Sequence, residues 1–185
     1  MLMNQEFVAV DVLPTKRHRE VDGVIYLTVT LRKSTTGEKW IARTEKKGNR
    51  VEEPYGKLVI RSKDFKPSVA GTYEIAILKG LLFTDDDRST QKICDKAIEM
   101  KLVKLNADIA CLVREQLSDQ EIEEMGLWWI VIMHEPIEPI KAVNHSNLLA
   151  VSRDDGGRWL RTYKGCPARR WRREAGFAFL VSRVS

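Results

Sequence analysis

The sequence predicts an α+β protein with three parts: a β-rich first half over residues 1–83, a helical part over residues 84–126 and a β-rich tail over residues 127–185. Apolar residues alternate with polar ones in several short segments at the start of the chain. The apolar spacing then changes to three and four residues, which is typical of an α-helix, and alternation returns after residue 127. We expect the tail to pair with the first strands, so that the three parts form one domain.

The first half contains five predicted strands. The clearest runs from Val24 to Leu31, where Ile25, Leu27 and Val29 lie on one side and polar residues on the other. Glycine-containing turns separate several of the segments. Their short spacing favours an antiparallel meander or a small barrel over βαβ units. The other four strands are Val8 to Val12, Trp40 to Thr44, Lys57 to Arg61 and Thr72 to Leu78.

The central part is predicted to be helical. Apolar residues recur at steps of three and four between residues 89 and 117, which predicts one long helix. Asn106 interrupts this pattern, so two shorter helices are the alternative. Ser118 and Glu121 have the spacing of a capping box, in which each side chain accepts a hydrogen bond from the other residue's backbone amide. This box predicts a short helix from Asp119 to Met125 that ends at Gly126.

The tail is predicted to return to β structure. It begins with Leu127 to Met133, an apolar run that is typical of a strand covered on both faces. A hairpin follows, in which the turn from Asp154 to Gly157 joins strands at Leu148 to Ser152 and Arg158 to Tyr163. Phe177 to Val181 is the predicted closing strand.

The composition favours a globular protein in the cytoplasm. The chain has 185 residues and is 43% apolar, which is too apolar for a disordered chain. Its apolar runs are much shorter than the ~18 residues of a membrane span, and its first residues lack the pattern of a secretory signal. Cys94, Cys111 and Cys166 form an odd set without paired spacing, which is typical of reduced thiols. We therefore expect a cytoplasmic location and no membrane partner.

Charge is unevenly distributed along the chain, although the net charge is only +5. Residues 1–83 carry 15 basic and 10 acidic side chains, and residues 151–185 carry nine and three. Residues 84–126 have the opposite balance, with six basic and eleven acidic side chains. This asymmetry indicates either a charged partner or internal neutralisation of the basic parts by the acidic part.

The motifs of common enzymes are missing from the sequence. It contains no glycine-rich phosphate loop, no paired zinc-ligand spacing and no nucleophile elbow. His134, His145 and Cys166 do not have the clustered spacing of a structural zinc site. Asp64 and Glu74 are spaced like the acids of metal-dependent nucleases, but the lysine such sites carry two positions later is an alanine. We assign no catalytic residue and predict no metal and no cofactor. An enzyme that cleaves phosphodiesters with metal dependence through Asp64 or Glu74 remains an alternative, after the two binding functions below.

The strongest functional signal lies in the tail. Residues 153–173 contain eight basic side chains interleaved with three aromatic ones. Arginine binds phosphate through two parallel hydrogen bonds and stacks on rings, while aromatic side chains stack on bases. These properties predict non-catalytic binding of nucleic acid, with RNA or single strands favoured over duplex. The predicted phosphate contacts are Arg158, Arg161, Arg169, Arg170, Arg172 and Arg173, and the predicted stacking residues are Trp159, Tyr163 and Trp171.

Alternation over residues 158–163 places Trp159, Arg161 and Tyr163 on one side of a strand. Two further basic clusters would turn this surface into a groove if they lie on the same side. The first cluster is Lys16, Arg17 and Arg19 in a predicted loop, and the second is Lys46, Lys47 and Arg50 in a predicted hairpin.

Protein–protein interaction is the alternative function. Arg, Trp and Tyr are enriched in binding hot spots, so the same basic surface would suit an interaction module, inhibitor or accessory subunit with an acidic protein partner. The acidic segment from Asp85 to Glu124 would then be a second docking face or a mimic of a charged strand. A third interpretation places Trp159 and Trp171 in the core and gives the tail no binding role. The sequence leaves the oligomeric state open.

Overall fold

The computed structural model describes residues 17–140, 146–154 and 156–184. The predicted strand from Val8 to Val12 lies outside these ranges, as do Lys16, His145 and Asp155. Within the described ranges the chain forms eight β-strands, five α-helices and one short 3-10 helix.

The strands are β1 (His18–Val21), β2 (Val24–Leu31), β3 (Arg50–Val51), β4 (Gly71–Lys79), β5 (Trp129–Ile132), β6 (Asn147–Asp154), β7 (Gly157–Lys164) and β8 (Ala175–Val184). The helices are α1 (Gly37–Lys46), α2 (Tyr55–Arg61), α3 (Thr90–Glu99), α4 (Ile109–Gln116) and α5 (Asp119–Glu124). The 3-10 helix (Gly80–Leu82) follows β4 directly.

The strands of the described residues form one mixed sheet in the order β1-β2-β4-β8-β5-β6-β7-β3. β5 runs parallel to β8 and β3 runs parallel to β7, while the other neighbouring pairs are antiparallel. Because β8 pairs with β4, the tail and the first half share this sheet. The predicted α+β class and the order of strands, helices and strands along the chain are confirmed.

Two predicted strands of the first half are helices. Trp40 to Thr44 lies in α1, and Lys57 to Arg61 lies in α2. In α1 the buried residues are Trp40, Ile41 and Thr44, which is the spacing of one side of a helix. A short alternation fits part of the same segment, which is why the strand prediction was wrong. The first half therefore supplies three adjacent strands and the edge strand β3 to an open sheet, in place of the expected meander or barrel.

The central segment forms two helices, as in the alternative prediction. Residues 100–108 separate α3 from α4. The predicted capping box begins α5, because Ser118 Oγ accepts from the Glu121 amide at 3.1 Å and Glu121 Oε2 accepts from the Ser118 amide at 2.8 Å. Gly126 follows α5 with a φ of 74°, a left-handed conformation that glycine adopts without strain.

Apolar side chains cover both faces of the sheet. On the face we call the helical face, α1, α2, α4 and α5 pack on strand residues such as Leu27, Ile75 and Leu160. On the opposite face, called the α3 face, α3 and the loop after β7 pack on residues such as Leu78 and Phe177. The strand alternation that puts Leu160 on the helical face puts the neighbouring aromatic residues of β7 on the α3 face.

Candidate nucleic-acid interface

The β6–β7 hairpin places three of the predicted contact residues together. Trp159, Arg161 and Tyr163 alternate along β7 on the α3 face and are half-buried, while Leu160 between them lies in the core of the helical face. β6 supports them with small or aliphatic partners, since Ala150 lies opposite Arg161 and Leu148 opposite Tyr163. The hairpin therefore presents an aromatic–arginine–aromatic row to one side of the sheet.

Trp159 is contacted by two guanidinium groups. The Arg161 Cζ lies 4.3 Å from the centroid of the Trp159 ring, and the Arg50 Cζ lies 5.4 Å from it. Arg50 reaches this position because β3 runs parallel to β7 and pairs Arg50 with Trp159. Gly48, with a φ of 77°, lets the chain leave α1 and enter β3. Both guanidinium distances fall within the range of cation–π attraction.

Arg169 makes the same kind of contact at the other end of the row. Its Cζ lies 5.3 Å from the Tyr163 ring and 4.4 Å from the Trp171 ring. Trp129 of β5 stacks on Tyr163 with a centroid distance of 6.4 Å and an interplanar angle of 21°. The result is an alternating series of guanidinium groups and rings. We call it the arginine–aromatic ribbon and define it as Arg50, Trp159, Arg161, Tyr163 and Arg169.

The ribbon carries more positive charge than its neighbours neutralise. Arg161 pairs with Asp154 at 2.6 Å. Burial would raise the pKa of Asp154, but its hydrogen bonds from Arg161 and the Gly156 amide lower it, so this pair stays ionised at neutral pH. Arg50 and Arg169 have no carboxylate of the described residues within 4.0 Å. The Nε of Arg169 is buried without a hydrogen-bond partner among the described residues, and this burial lowers the pKa of Arg169.

Trp171 belongs to the core, so its predicted role in stacking on bases is wrong. The side chain is 6% exposed, and its Nε1 donates to Thr90 Oγ1 at 2.9 Å. Its ring makes edge contacts with Tyr163 and Phe177 at 5.8 and 5.6 Å. An indole with its ring and its N–H engaged in this way is not available to an external base.

Arg158 is also placed differently from the prediction. It lies on the helical face, where its guanidinium donates to the Leu117 carbonyl at 2.9 Å and to the Arg114 carbonyl at 3.3 Å. These contacts hold β7 against the end of α4. Arg158 therefore lies on the opposite side of the sheet from Arg161 and is not a phosphate contact of the same surface.

The three remaining predicted phosphate contacts, Arg170, Arg172 and Arg173, are exposed and are not part of the ribbon. Arg170 faces Asp86 at 3.3 Å, and Arg173 pairs with Glu174 at 3.3 Å. The carbonyls of Arg172 and Arg173 pack against Gly80, just before β8 begins. Arg170 directly follows Arg169 of the ribbon, whereas Arg172 and Arg173 lie just before β8, which β5 and β6 separate from β7. The three arginines are therefore divided between the end of the ribbon and the start of β8.

The predicted groove does not form from the two additional basic clusters. Arg17 donates to the Gln116 carbonyl, and Arg19 lies on β1, at the opposite edge of the sheet from β3. Lys46 and Lys47 are at the end of α1 on the helical face, where Lys47 pairs with Glu115. Among the residues of these clusters that the structure describes, Arg50 alone joins the ribbon.

Sequence reasoning missed the contribution of Trp129. Its local sequence predicts only a buried strand and indicates no partner on β7. Trp129 lies opposite Ser152 on β6, and Ser152 lies opposite Trp159. The Nε1 of Trp129 and the Oγ of Ser152 are buried without hydrogen-bond partners among the described residues. Register between distant strands, which a single sequence does not contain, brings these residues to the ribbon.

The residues with catalytic potential have structural partners. His134 is buried, and its Nε2 accepts from the Leu149 amide at 3.0 Å while Nδ1 donates to the Glu135 carbonyl at 2.7 Å. Burial lowers the pKa of His134 to about 4, so the ring is neutral at physiological pH. Glu74 forms an ion pair with Arg19 at 3.6 Å. In residues 17–140, 146–154 and 156–184, no three His, Cys, Asp or Glu side chains are grouped to hold a metal ion.

Comparison with known proteins assigns no family to the chain: no family model, no curated protein and no solved structure matches it. In the part of the chain that the structure describes, no helix has both the length and the apolar character needed to cross a bilayer.

Proposed function

We propose that the protein binds single-stranded nucleic acid, RNA or DNA, through the arginine–aromatic ribbon and without catalysis. The observation that carries the proposal is the alternation of rings and guanidinium groups along one strand face. Arg161 and Arg50 lie 4.3 and 5.4 Å from the Trp159 ring, and Arg169 lies 5.3 Å from the Tyr163 ring. Aromatic rings provide stacking surfaces for bases, and guanidinium groups form bidentate hydrogen bonds with phosphates.

The dimensions of the ribbon suit a short stretch of single strand. Trp159 and Tyr163 are four residues apart on β7, which corresponds to roughly 13 Å at the rise of a β-strand. Stacked nucleotides rise by about 3.4 Å each, so the ribbon is about as long as four nucleotides. An unpaired strand can splay its bases onto a sheet face, whereas a duplex keeps its bases stacked inside.

The charge of the ribbon also supports an anionic ligand. Arg50 and Arg169 have no acidic partner among the described residues, and Arg169 is partly desolvated. A phosphate would replace the missing counter-charge for both. The free thiols Cys94, Cys111 and Cys166 fit action in a reducing compartment, and we include the cytoplasm in the proposal on that ground.

The first test is a titration of a labelled single strand of about twelve nucleotides with the full chain at ~50 mM and ~200 mM salt. We expect binding at low salt, a loss of affinity as salt rises, and better displacement by unlabelled single strand than by duplex. Failure of any strand to bind at low salt would contradict the proposal.

A tryptophan pair makes the test specific for the ribbon. Trp159→Ala should weaken binding at least fivefold, because it removes a stacking platform worth about 1–3 kcal/mol per base. Trp128→Ala is the matched control, since Trp128 is 45% exposed and carries Arg153 on its ring but lies outside the ribbon. Equal losses in the two variants would speak against a specific site.

An acidic protein segment is the second candidate ligand. The pairing of Arg161 with Asp154 shows that the ribbon already holds a carboxylate on a guanidinium group. A glutamate-rich peptide should then bind in calorimetry, and single-stranded nucleic acid should not compete. The reverse result, competition by the strand and no binding of the peptide alone, favours the nucleic-acid proposal.

A further inference from the structure

A cleft of about 530 Å³ lies at the Trp159 end of the arginine–aromatic ribbon, beside the edge strand β3. Arg50, Trp159 and Arg161 line this cleft, so it includes three of the five ribbon residues. Glu52, which directly follows β3, lines it as well. A ligand that lies on the ribbon therefore also contacts the polar groups of the cleft.

The carboxylate of Glu52 is held at the edge of β7. The Glu52 amide donates to the Leu160 carbonyl at 2.9 Å, which continues the pairing of β3 with β7. Glu52 Oε2 accepts from the Thr162 amide at 2.7 Å and from the Thr162 hydroxyl. Since Thr162 lies between Arg161 and Tyr163, these two bonds fix the carboxylate beside the ribbon.

The second oxygen of this carboxylate is a free acceptor. Glu52 Oε1 accepts no hydrogen bond from the described residues, and none of their cationic nitrogens lies within 4.0 Å of the carboxylate. Asn49 lines the same cleft and is 4% exposed, and its Oδ1 is buried without a donor among the described residues. The other two acids of the cleft differ, because Glu45 and Glu53 both pair with Lys57.

A ligand that satisfies these acceptors must donate hydrogen bonds. Cytosine and adenine each carry an exocyclic amino group, and glutamate accepts from that of cytosine while asparagine accepts from that of adenine. Uracil and thymine have a carbonyl oxygen in place of the amino group of cytosine. Their ring N–H lies between two carbonyl oxygens, and a carboxylate repels both of these oxygens.

We infer that the cleft selects a base with an exocyclic amino group, such as cytosine or adenine, over uracil or thymine. The base would stack on Trp159, and its amino group would donate to Glu52 Oε1. The inference rests on the proposed function, because the strand that carries the base lies on the ribbon. It adds a base preference that stacking and phosphate contacts alone do not provide.

The test compares two single strands of about twelve nucleotides, one of deoxycytidine and one of deoxyuridine, in fluorescence anisotropy with the full chain at ~50 mM salt and neutral pH. The strands have the same backbone and the same ring size, so they differ in the hydrogen-bonding edge of the base. The deoxycytidine strand should bind about fivefold more tightly or better, because its amino groups can donate to Glu52.

Glu52→Gln separates this hydrogen bond from other causes of preference. The amide oxygen of glutamine can still accept from Thr162, while its NH₂ group would replace Oε1 and donate to the carbonyl oxygen of uracil. The preference for deoxycytidine should fall below about twofold, and the affinity for the deoxyuridine strand should rise. Glu38→Gln is the matched control, because it removes the same charge from an exposed residue of α1 that pairs with Arg61 outside the cleft.

Three results would overturn the inference while the proposed function stands. The unsubstituted chain could bind both strands equally, or Glu52→Gln could keep the full preference, which would then come from stacking. Glu52→Gln could also weaken both strands alike, which would assign Glu52 a structural role only. If neither strand binds at low salt, the proposed function itself is contradicted, and the base preference with it.

Discussion

Arginines on the two faces of the sheet have opposite environments. On the helical face, Arg114 is 0% exposed and donates to the carbonyls of Ser152 and Leu117 and to Asp119. Its neighbour Arg158 donates to the Leu117 carbonyl as well. On the α3 face, Arg161 and Arg169 lie on aromatic rings. The first pair connects secondary-structure elements, and the second pair lies on an open surface.

The difference shows why a count of arginines does not define a binding surface. A guanidinium group that donates to several backbone carbonyls satisfies groups that would otherwise be buried without partners, and this is a structural role. Burial lowers the pKa of Arg114 to about 10, although Asp119 opposes the shift, so the group stays charged and bound in place at neutral pH. A guanidinium group that stacks on a ring still has free N–H groups, and these can donate hydrogen bonds to an anion.

The largest predicted effect is therefore on the helical face. Arg114→Met should lower the free energy of unfolding by about 3–5 kcal/mol, because it removes the buried partner of Asp119 and the donor to the Ser152 carbonyl, while the Leu117 carbonyl keeps its hydrogen bond from Arg158. Arg161→Met, its match on the α3 face, should cost less than about 1 kcal/mol, since its ion pair is partly exposed. Urea denaturation followed by far-UV circular dichroism measures both. Equal losses of unfolding free energy in the two variants would contradict the different roles assigned to the arginines of the two faces.

Unfolding at a series of pH values tests the buried hydrogen bonds of His134, which lies just after β5. The pKa of His134 is about 4 in the folded chain, whereas the ordinary pKa of a solvated histidine is 6.5. Between pH 6.5 and pH 4, His134 therefore binds a proton in the unfolded chain but stays neutral in the folded chain. Because of this difference, the free energy of unfolding should fall by about 3 kcal/mol as the pH drops from 6.5 to 4.

His134→Gln is the variant that isolates this contribution, because glutamine does not titrate and its carbonyl oxygen can still accept a hydrogen bond. Denaturation midpoints of both chains between pH 7 and pH 4 give the comparison. If the two chains lose the same stability on acidification, His134 is not the buried neutral group described above.

A smaller effect is expected at Asp108, which precedes α4. Its carboxylate is 1% exposed and accepts from the Ser68 amide at 2.6 Å and from Ser68 Oγ at 2.5 Å. Asp108→Ala leaves both donors without an acceptor and should cost about 2 kcal/mol. Asp108→Asn keeps one acceptor oxygen and should cost less. Thermal unfolding of the two variants ranks them, and a larger loss for Asn would contradict this account of the contact.

Local features of the fold were predictable from the sequence, and long-range placements were not. The alternation in β2, the capping box at Ser118 and the β6–β7 hairpin each depend on neighbours within a few residues. The contact of Arg50 with Trp159 depends on the parallel pairing of β3 with β7, across 109 residues of chain. No local pattern encodes that pairing.

The same reasoning explains the errors at the candidate site. The sequence placed Trp159, Arg161 and Tyr163 on one side of a strand correctly, since strand alternation fixes it. It could not separate Trp171 from Trp159, because burial of Trp171 depends on its contact with Thr90 at the start of α3. The composition identified the basic tail, and the tertiary structure divides its arginines between the two faces of the sheet and the loop that precedes β8.

Two triple variants that remove the same charge from different places test the central claim most directly. One replaces Arg50, Arg161 and Arg169 of the ribbon with alanine, and the other replaces Arg170, Arg172 and Arg173 of the loop that precedes β8. Fluorescence anisotropy with a labelled single strand at ~100 mM salt should show at least tenfold weaker binding for the ribbon variant, and a change of about threefold or less for the loop variant. Equal losses, or a larger loss for the loop variant, would contradict a binding site built on the alternating rings and guanidinium groups of β7.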